Sequence, residues 1–335
     1  MDKNAIKKYA VWARRELIAR VSQKAAQYEV TEESHENPNA ESVNGKVLSD
    51  MERKQRAALI KKINESSYNQ VIEKVAYTWF NRFIALRFME VNGYLPSRVR
   101  VFTDAENNFK PEILAEAIHL DMEGLDKERV FAFKEANDAE GLYKYLLVTQ
   151  CNALNKYLPR MFEKIDDYTM LLLPDNLLRD GSAVEQMITI IPEEDWHDAV
   201  QIIGWLYQSY IAEPKDERIN ARKKYVNTDI PFVTQLFTPD WIVKYMVENS
   251  LGRLWLKKHP NEQLKKKWIY YLEAKNVENE ETSILKPEEI KCIDPCAGSG
   301  HILVYLFDVL VQIYEAYGTD TRTAVTEIVQ KIYMD

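Results

Sequence analysis

Apolar residues recur every three or four positions along residues 4–27, which is the spacing of one face of an amphipathic helix. The same period returns over residues 50–64, and Ser49 or Asp50 is placed to cap the first turn there. Between these segments the pattern is lost, because residues 28–50 are polar and contain a proline and an Asn-Gly pair. We therefore predict two helices joined by an exposed, mobile loop.

The strongest helical signal lies at residues 70–90, where apolar and aromatic side chains cover most of the helix circumference. Aromatic residues at this spacing are usually core residues rather than a surface for base stacking. We interpret this helix as the centre of an N-terminal helical domain. Further helices are predicted at residues 111–120, 140–158 and 195–212, around a loop-rich segment at 164–192.

The pattern changes again after Ala212. Residues 213–240 are charged and interrupted by prolines, and a helical period resumes directly after Asp240, which we predict to be an N-cap. Further along, residues 290–294 alternate as a short buried strand would, and residues 301–318 are almost entirely apolar, as in a helix that packs on a sheet.

The sequence "PCAGSG" separates this predicted strand and helix. It contains Gly298 and Gly300, whose missing side chains allow a tight turn and a close approach of a ligand to the backbone. Adenine-containing cofactors bind at such a turn in doubly wound sheets. Asp294, at the end of the strand, would repel a pyrophosphate but suits a positively charged sulfonium, so S-adenosylmethionine fits better than a dinucleotide.

Composition places the chain among soluble globular proteins, with 46% hydrophobic and 29% charged residues over a length of 335. No window approaches the ~18 uninterrupted apolar residues of a membrane span. The first residues have no apolar region of the secretory type, so we expect a cytoplasmic protein that does not bind membranes. The three cysteines and five histidines lack the spacing of metal ligands, and we expect neither a disulfide nor a metal site.

The net charge of −8 conceals two basic segments. Residues 1–24 carry seven Lys or Arg against two acids, and residues 51–64 carry five against one. Such a surface could neutralise phosphates. The candidate residues for contact with DNA or phosphate are Arg14, Arg15, Arg53, Lys54 and Arg56. Two solvated helix faces would have the same composition, and this alternative stays open.

Two motifs carry a resemblance to a known family. The sequence "DPCAGSGHIL", residues 294–303, resembles the first motif of the amino-methylating DNA adenine methyltransferases. The sequence "TQLFTPDWIVKYMV", residues 234–247, resembles the motif that precedes the Gly-rich turn in that group and helps to cover the cofactor. Together with "EKVAYTWFNRFIALRFMEVNGY", residues 73–94, they resemble the methyltransferases of BREX phage-defence systems, with gaps, over the whole chain.

By that resemblance, the segment 237–239 would cover S-adenosylmethionine, Asp294 would lie near its methionine end, and the Gly-rich turn would lend backbone groups. The implied cofactor-binding residues are Phe237, Thr238, Pro239, Asp294, Cys296, Ala297, Gly298, Ser299 and Gly300. The usual Ala-Cys order of the family is reversed at Cys296 and Ala297, a swap that should not affect backbone contacts.

The family's catalytic motif, Asn or Asp followed by Pro-Pro-Tyr/Phe, is missing, since the 335 residues contain no Pro-Pro pair. We therefore interpret the chain as the N-terminal fragment of a longer, site-specific DNA adenine-N6 methyltransferase. The fragment is expected to be catalytically inactive, to contain no catalytic residue, and to bind S-adenosylmethionine weakly or not at all. The resemblance implies double-stranded DNA and other BREX proteins as partners.

Two alternatives remain open at this point. One is the modification subunit of a restriction-modification system, which shares both cofactor motifs. The other is a non-catalytic helical platform that binds DNA or partner proteins.

The resulting fold prediction is mainly α. A helical N-terminal domain over residues 1–212, with the mobile loop at 28–50, is followed by residues 213–335. This second part combines a linker, the cofactor-covering motif and the truncated start, one strand plus helix, of a Rossmann-like α/β methyltransferase domain.

Overall fold

The protein is described here from a computed structural model. The structure describes residues 2–35, 37–163, 168–197, 201–221, 223–226, 229–234, 236–273, 286–295, 297 and 300–332. The chain divides into two compact units, Met1–Arg222 and Lys223–Asp335, and each is treated by itself.

The first unit is mainly helical, as predicted. Its helices are α1 (Lys3–Gln27), α2 (Asp50–Glu65), α3 (Tyr68–Val91), α4 (Glu112–Ala115), α5 (Lys127–Glu135), α6 (Ala139–Leu154), α7 (Tyr168–Leu171), α8 (Ala183–Ile190), α9 (Gln201–Tyr210) and α10 (Ala212–Asn220). A 3₁₀ turn covers Glu193–Asp195. Two strands, β1 (Ser42–Val43) and β2 (Lys46–Val47), pair antiparallel.

The long periodic segments of the sequence form the predicted helices α1, α2, α3 and α6. The prediction at residues 111–120 was too long, because α4 ends after four residues and its N-cap, Pro111, has no side chain that could accept a first-turn amide. Over the segment 195–212 the structure has α9 and the start of α10, and residues 198–200 lie outside the described ranges.

Local side-chain chemistry sets the elements around α2. Ser49 is the N-cap, and a capping box forms because Ser49 Oγ accepts from the Glu52 amide while the Glu52 carboxylate accepts from the Ser49 amide at 2.9 Å. In the preceding segment, Asn44 and Gly45 have φ of 47° and 77°. Two successive left-handed residues make the tight turn that joins β1 to β2. The segment 28–50 therefore contains a hairpin, which the composition did not predict.

Helix α3 forms the core of the first unit. Trp79, Phe80 and Phe83 are all buried, which confirms that the aromatic face is core. Helix α1 packs against α3, with the Tyr9 and Phe80 rings stacked at a centroid distance of 6.3 Å. The Tyr9 hydroxyl donates a hydrogen bond to the Ala183 carbonyl at 3.0 Å, which links this helix pair to α8.

A buried ion cluster lies near the end of α3. Arg87 donates to the Glu90 carboxylate at 2.5 Å, and both side chains are fully buried. The other Glu90 oxygen accepts from the amides of Val101 and Phe102 at 2.7 and 2.9 Å. Arg87 also pairs with Glu193 at 3.2 Å. The cluster therefore compensates the charges of Arg87 and Glu90, although Arg87 Nε has no hydrogen-bond partner among the described residues, and it links the chain after α3 to the helix.

We expect Glu90→Gln to lower the free energy of unfolding by about 3 kcal/mol, because it leaves much of the buried Arg87 charge uncompensated. Urea denaturation at pH 7 measures the loss. The matched control is Glu65→Gln, which removes an exposed ion pair with Lys62 and should cost less than about 1 kcal/mol. Equal losses in the two variants would contradict a special role of the buried cluster.

Asp175 joins α1 to α6 through two lysines. Lys24 Nζ lies 2.8 and 2.9 Å from the two carboxylate oxygens of Asp175, and Lys144 pairs with the same carboxylate. Burial alone would raise the pKa of Asp175, but the hydrogen bonds from Lys144 and Lys24 outweigh it and lower this pKa to about 2. A carboxyl with a depressed folded pKa stabilises the fold above its unfolded pKa of ~3.9 and loses that contribution as the pH falls.

Asp175→Asn should therefore be less stable than the wild type at pH 7, and the difference should shrink as the pH falls from about 5 towards 2. Urea denaturation of both proteins across that pH range measures the difference in their free energies of unfolding. Titratable groups other than Asp175 are common to both proteins and cancel in this difference. A difference that stays constant with pH would show that the Asp175 charge contributes nothing.

The second unit is a smaller helical cluster. Its helices are α11 (Ile230–Thr234), α12 (Asp240–Val247), α13 (Arg253–Lys258), α14 (Glu262–Lys267), α15 (His301–Ala316) and α16 (Thr321–Ile332). A π-helical turn at Glu248–Gly252 joins α12 to α13. Trp255, Trp268, Val309 and Ile313 are central members of its core. No helix in the described ranges is both long and apolar enough to cross a membrane.

Two predictions for this unit were wrong. Asp240 is the first residue of α12 and Pro239 is the N-cap; the Asp240 carboxylate pairs with Lys244 at 2.7 Å and does not cap the first turn. Residues 290–294 do not form a strand, and Ile293 is 88% exposed. A strand requires a neighbour for its backbone hydrogen bonds, and none of the described residues of this unit pairs with the segment.

Candidate functional site

The two sequence motifs of the second unit meet in the structure. Phe237, in the segment before α12, is buried, and its ring lies parallel to the imidazole of His301, the first residue of α15. The ring centroids are 4.5 Å apart and the planes differ by 2°. This stack places the "LFTP" segment, residues 236–239, against the helix that follows the Gly-rich turn.

Gly300 ends the Gly-rich turn and caps α15. Its φ of 78° is left-handed, and its amide donates to the Ala297 carbonyl at 2.7 Å, which closes the turn. Among the described residues other than its chain neighbours and its own helix, no atom lies within 4 Å of the position that a Cβ on Gly300 would take. The backbone conformation, rather than lack of space, therefore calls for glycine. Open space lies beside Gly300 at the start of α15.

A line of polar side chains runs between α12 and α15. Asp240 lies 3.9 Å from His301 Nε2 on one side and 2.7 Å from Lys244 Nζ on the other. Lys244 Nζ lies 5.8 Å from the centre of the Tyr305 ring. We call Asp240, Lys244, His301 and Tyr305, together with Glu248, the polar seam.

Glu248 anchors the inner end of the polar seam. Its side chain is fully buried; one carboxylate oxygen accepts from the Tyr305 hydroxyl at 2.7 Å and the other from the Tyr270 amide at 2.6 Å. Burial raises the pKa of Tyr305, and the hydrogen bond to Glu248 raises it further, so the hydroxyl stays protonated and donates. The π-helical turn that begins at Glu248 is a form that is often found at functional sites.

The environment of His301 favours the neutral imidazole. Burial lowers its pKa, and this effect outweighs the opposing influence of the Asp240 carboxylate and the Thr238 backbone. A neutral imidazole stacks on Phe237 without the cost of desolvating a charge. The stack is therefore favoured at and above neutral pH.

The structure describes six of the nine predicted cofactor residues. Phe237 is buried, while Thr238, Pro239, Asp294, Ala297 and Gly300 are half-buried. Cys296, Gly298 and Ser299 lie outside the described residues. His301 stacks on Phe237 and directly follows Gly300 in the chain, so Phe237 lies close to Gly300.

Sequence reasoning missed the polar seam. For His301 the usable signal is its position directly after the Gly-rich turn. Glu248 also had a signal, because an acid inside an apolar helical run that becomes buried must find hydrogen-bond donors.

The predicted basic surface is largely neutralised. Arg14 pairs with Glu73, and Arg15 with Glu213. Arg53 likewise pairs with Asp50, while Lys54 is exposed.

Arg56 was wrongly predicted to contact DNA. It is 1% exposed and donates to the carbonyls of Tyr28 and Asn37 at 2.8 and 2.6 Å. Its guanidinium holds the segment after α1 in place, so it is not available to a phosphate. The prediction failed because a count of charges along a sequence does not tell which of them are buried.

No protein-family model matches the chain. Among curated proteins, the chain is similar to adenine-specific methyltransferases over nearly its whole length. One is the adenine-specific methyltransferase PglX of Lacticaseibacillus casei (strain Zhang), 39% identical over 372 residues, which include 99% of this chain and 31% of the relative. Another is the adenine-specific methyltransferase BrxX of Escherichia coli O9:H4 (strain HS), 40% identical over 348 residues, with 96% of this chain and 28% of the relative.

These similarities confirm the resemblance to PglX that the motifs indicate. The chain spans less than a third of the length of either relative, 31% of one and 28% of the other.

Tyr305→Phe should loosen the polar seam, because the fully buried Glu248 carboxylate loses a donor at a cost of about 1–2 kcal/mol. Hydrogen exchange of the α15 amides should become about tenfold faster, while exchange in α3 stays unchanged. The control is Tyr245→Phe, in the same unit: Tyr245 is 43% exposed, and its hydroxyl makes no hydrogen bond to the described residues. Unchanged exchange in Tyr305→Phe would contradict an anchoring role of this bond.

Proposed function

We propose that this chain is the N-terminal portion of a site-specific DNA adenine-N6 methyltransferase of a BREX phage-defence system. The observation that carries the proposal is the 39% and 40% identity to PglX and BrxX over nearly the whole chain. In this proposal, residues 1–212 are a helical domain, and residues 213–335 begin the methyltransferase domain. Double-stranded DNA and other BREX proteins are the partners, and the protein is cytoplasmic.

We further propose that the Phe237–His301 region is part of an S-adenosylmethionine site. The parallel stack of Phe237 on His301, the open space beside Gly300 and the half-buried carboxylate of Asp294 suit a ligand that combines an aromatic base with a positive charge. The proposed cofactor-binding residues are Phe237, Thr238, Pro239, Asp294, Cys296, Ala297, Gly298, Ser299 and Gly300.

Bound S-adenosylmethionine would supply an electrophilic methyl group to the exocyclic nitrogen of an adenine that is flipped out of the duplex. The residues of this chain would hold the methyl donor: Asp294 would balance its positive charge, and the segment 237–239 would cover it and exclude water. The polar seam would keep that segment against α15. The catalytic Asn/Asp-Pro-Pro-Tyr/Phe motif is not among these 335 residues, so the chain alone is expected to be inactive.

Two other functions are less well supported. A modification subunit of a restriction-modification system would share the same cofactor residues, and a target-recognition region within the same polypeptide would argue against it. A non-catalytic DNA-binding platform would need free cations. Of the five candidate residues, Arg14, Arg15 and Arg53 are paired with carboxylates and Arg56 is buried, which leaves the exposed Lys54.

Methylation profiling of genomic DNA tests the proposal. A host that carries the complete gene with its BREX partners should contain N6-methyladenine at one sequence motif, and deletion of the gene should remove it. Asp294→Asn should reduce methylation at limiting expression by about tenfold or more, because a charge-assisted contact of about 1.5–3 kcal/mol is lost. Asp320→Asn is the matched control, since an asparagine can still cap the following turn as Asp320 does at 3.1 Å.

The outcomes distinguish the methyltransferase proposal as a whole from the role of Asp294 in the cofactor site. Absence of N6-methyladenine with the intact gene and its partners would contradict the methyltransferase proposal as a whole. Full methylation by Asp294→Asn would contradict only the role of Asp294 in the cofactor site. Loss of methylation in Asp320→Asn to the same extent would attribute the effect to a damaged fold.

A further inference from the structure

The first unit contains an open cleft of about 600 Å³ between several of its helices. It is lined by residues of α2, α5, α6 and the segment around α7, together with Lys24 and Tyr28 from the end of α1. Sites for small molecules typically measure about 300–1,000 Å³ and combine apolar walls with a few polar groups. Met51, Phe133 and Leu171 supply apolar wall here, so the cleft has the size and the mixed lining of a ligand site.

Three cations, Lys24, Arg129 and Lys144, line this cleft against two acids, Glu52 and Asp126. Lys24 and Lys144 both pair with Asp175, and Lys144 Nζ also lies 4.0 Å from the Glu140 carboxylate, which accepts from the Leu177 amide at 2.9 Å. No carboxylate pairs with Arg129 among the residues that the structure describes.

The two acids of the lining are already occupied by other partners. Glu52 is compensated by Lys46 at 2.7 Å and takes part in the capping box of α2. Asp126 accepts from the Glu128 and Arg129 amides as the N-cap of α5, where the helix terminus offsets its charge. The charged groups that line the cleft therefore favour an anionic ligand.

One wall of the cleft is a flat aromatic platform. The Arg129 guanidinium lies over the Tyr145 ring, 4.5 Å from its centre. The Tyr145 hydroxyl accepts from the Asp126 amide at 2.7 Å, and Phe133 lies 5.9 Å from the Tyr145 ring, so the platform is held from two sides. A guanidinium held over a tyrosine ring suits the face of a planar heterocycle.

We propose that this cleft binds a nucleotide, with the base on the Arg129–Tyr145 platform and the phosphate at Lys24 and Lys144. A planar base combined with an anionic group uses both features of the lining, whereas a free phosphate or a neutral nucleoside uses only one. Every lining residue belongs to the first unit, so this site makes no use of Phe237 or Asp294.

Calorimetric titration of the 335-residue chain with AMP tests the proposal, with adenosine and inorganic phosphate as the two half-ligands. We expect AMP to bind at least about tenfold more tightly than either half-ligand. Arg129→Gln and Lys144→Gln should each weaken AMP binding by about tenfold, since each removes a charge-assisted contact. Lys110→Gln removes an exposed cation that does not line the cleft, and it should leave AMP binding unchanged.

Two measurements separate this site from the proposed cofactor site. Phe237→Ala should bind AMP as the wild type does, and S-adenosylmethionine should not displace AMP. Absence of AMP binding at millimolar concentration would overturn the proposal, as would binding that is unaffected by Arg129→Gln or that is lost in Phe237→Ala. Because Arg129 is exposed and makes no ion pair among the described residues, Arg129→Gln decides the question even where Lys144→Gln fails to fold.

Discussion

The burial of α3 around most of its circumference is the constraint on which the first unit depends. Fourteen of its 24 residues are buried, so α1, α2 and α9 must each cover part of it. Burial also includes Arg87 and Glu90, whose charges would be costly without partners. The amides of Val101 and Phe102 and the carboxylate of Glu193 supply those partners, and the segment after α3 is ordered as a consequence.

The second unit also buries polar groups beside an apolar core, on a smaller scale. Trp255 and Trp268 are part of its apolar core. Gly252, in the π-helical turn, allows the Trp268 ring to pack closely, because a Cβ at position 252 would lie only 3.0 Å from that ring. The polar groups of this unit gather between α12 and α15 in the polar seam. Because Glu248 is fully buried there and hydrogen-bonded on both oxygens, the seam constrains how α12 lies against α15.

The features that sequence reasoning predicted are the local ones. The period of α1 and α3 and the Ser49 cap depend on residues close together in the chain, and the structure confirms them. The contacts of Arg56, the pairing of Glu213 with Arg15 and the bond from Tyr305 to Glu248 join residues distant in the chain, so no spacing rule could predict them. The hairpin at Asn44 and Gly45 is an exception, because the Asn-Gly pair is a local turn signal, whereas the composition of the segment indicates only a loop.

The absence of a strand at residues 290–294 shows which part of the candidate site the second unit forms by itself. A strand depends on neighbours that pair with it, whereas the turn at Gly300 and the helix after it depend on a backbone angle and on packing against α12. The stack of Phe237 on His301 therefore forms without a sheet. The covering side of the proposed cofactor site is specified by contacts within the second unit, but the direction in which Asp294 points would depend on strands that pair with its segment. Changes in the polar seam would then act on the proposed cofactor site through the position of the covering segment, and not through Asp294.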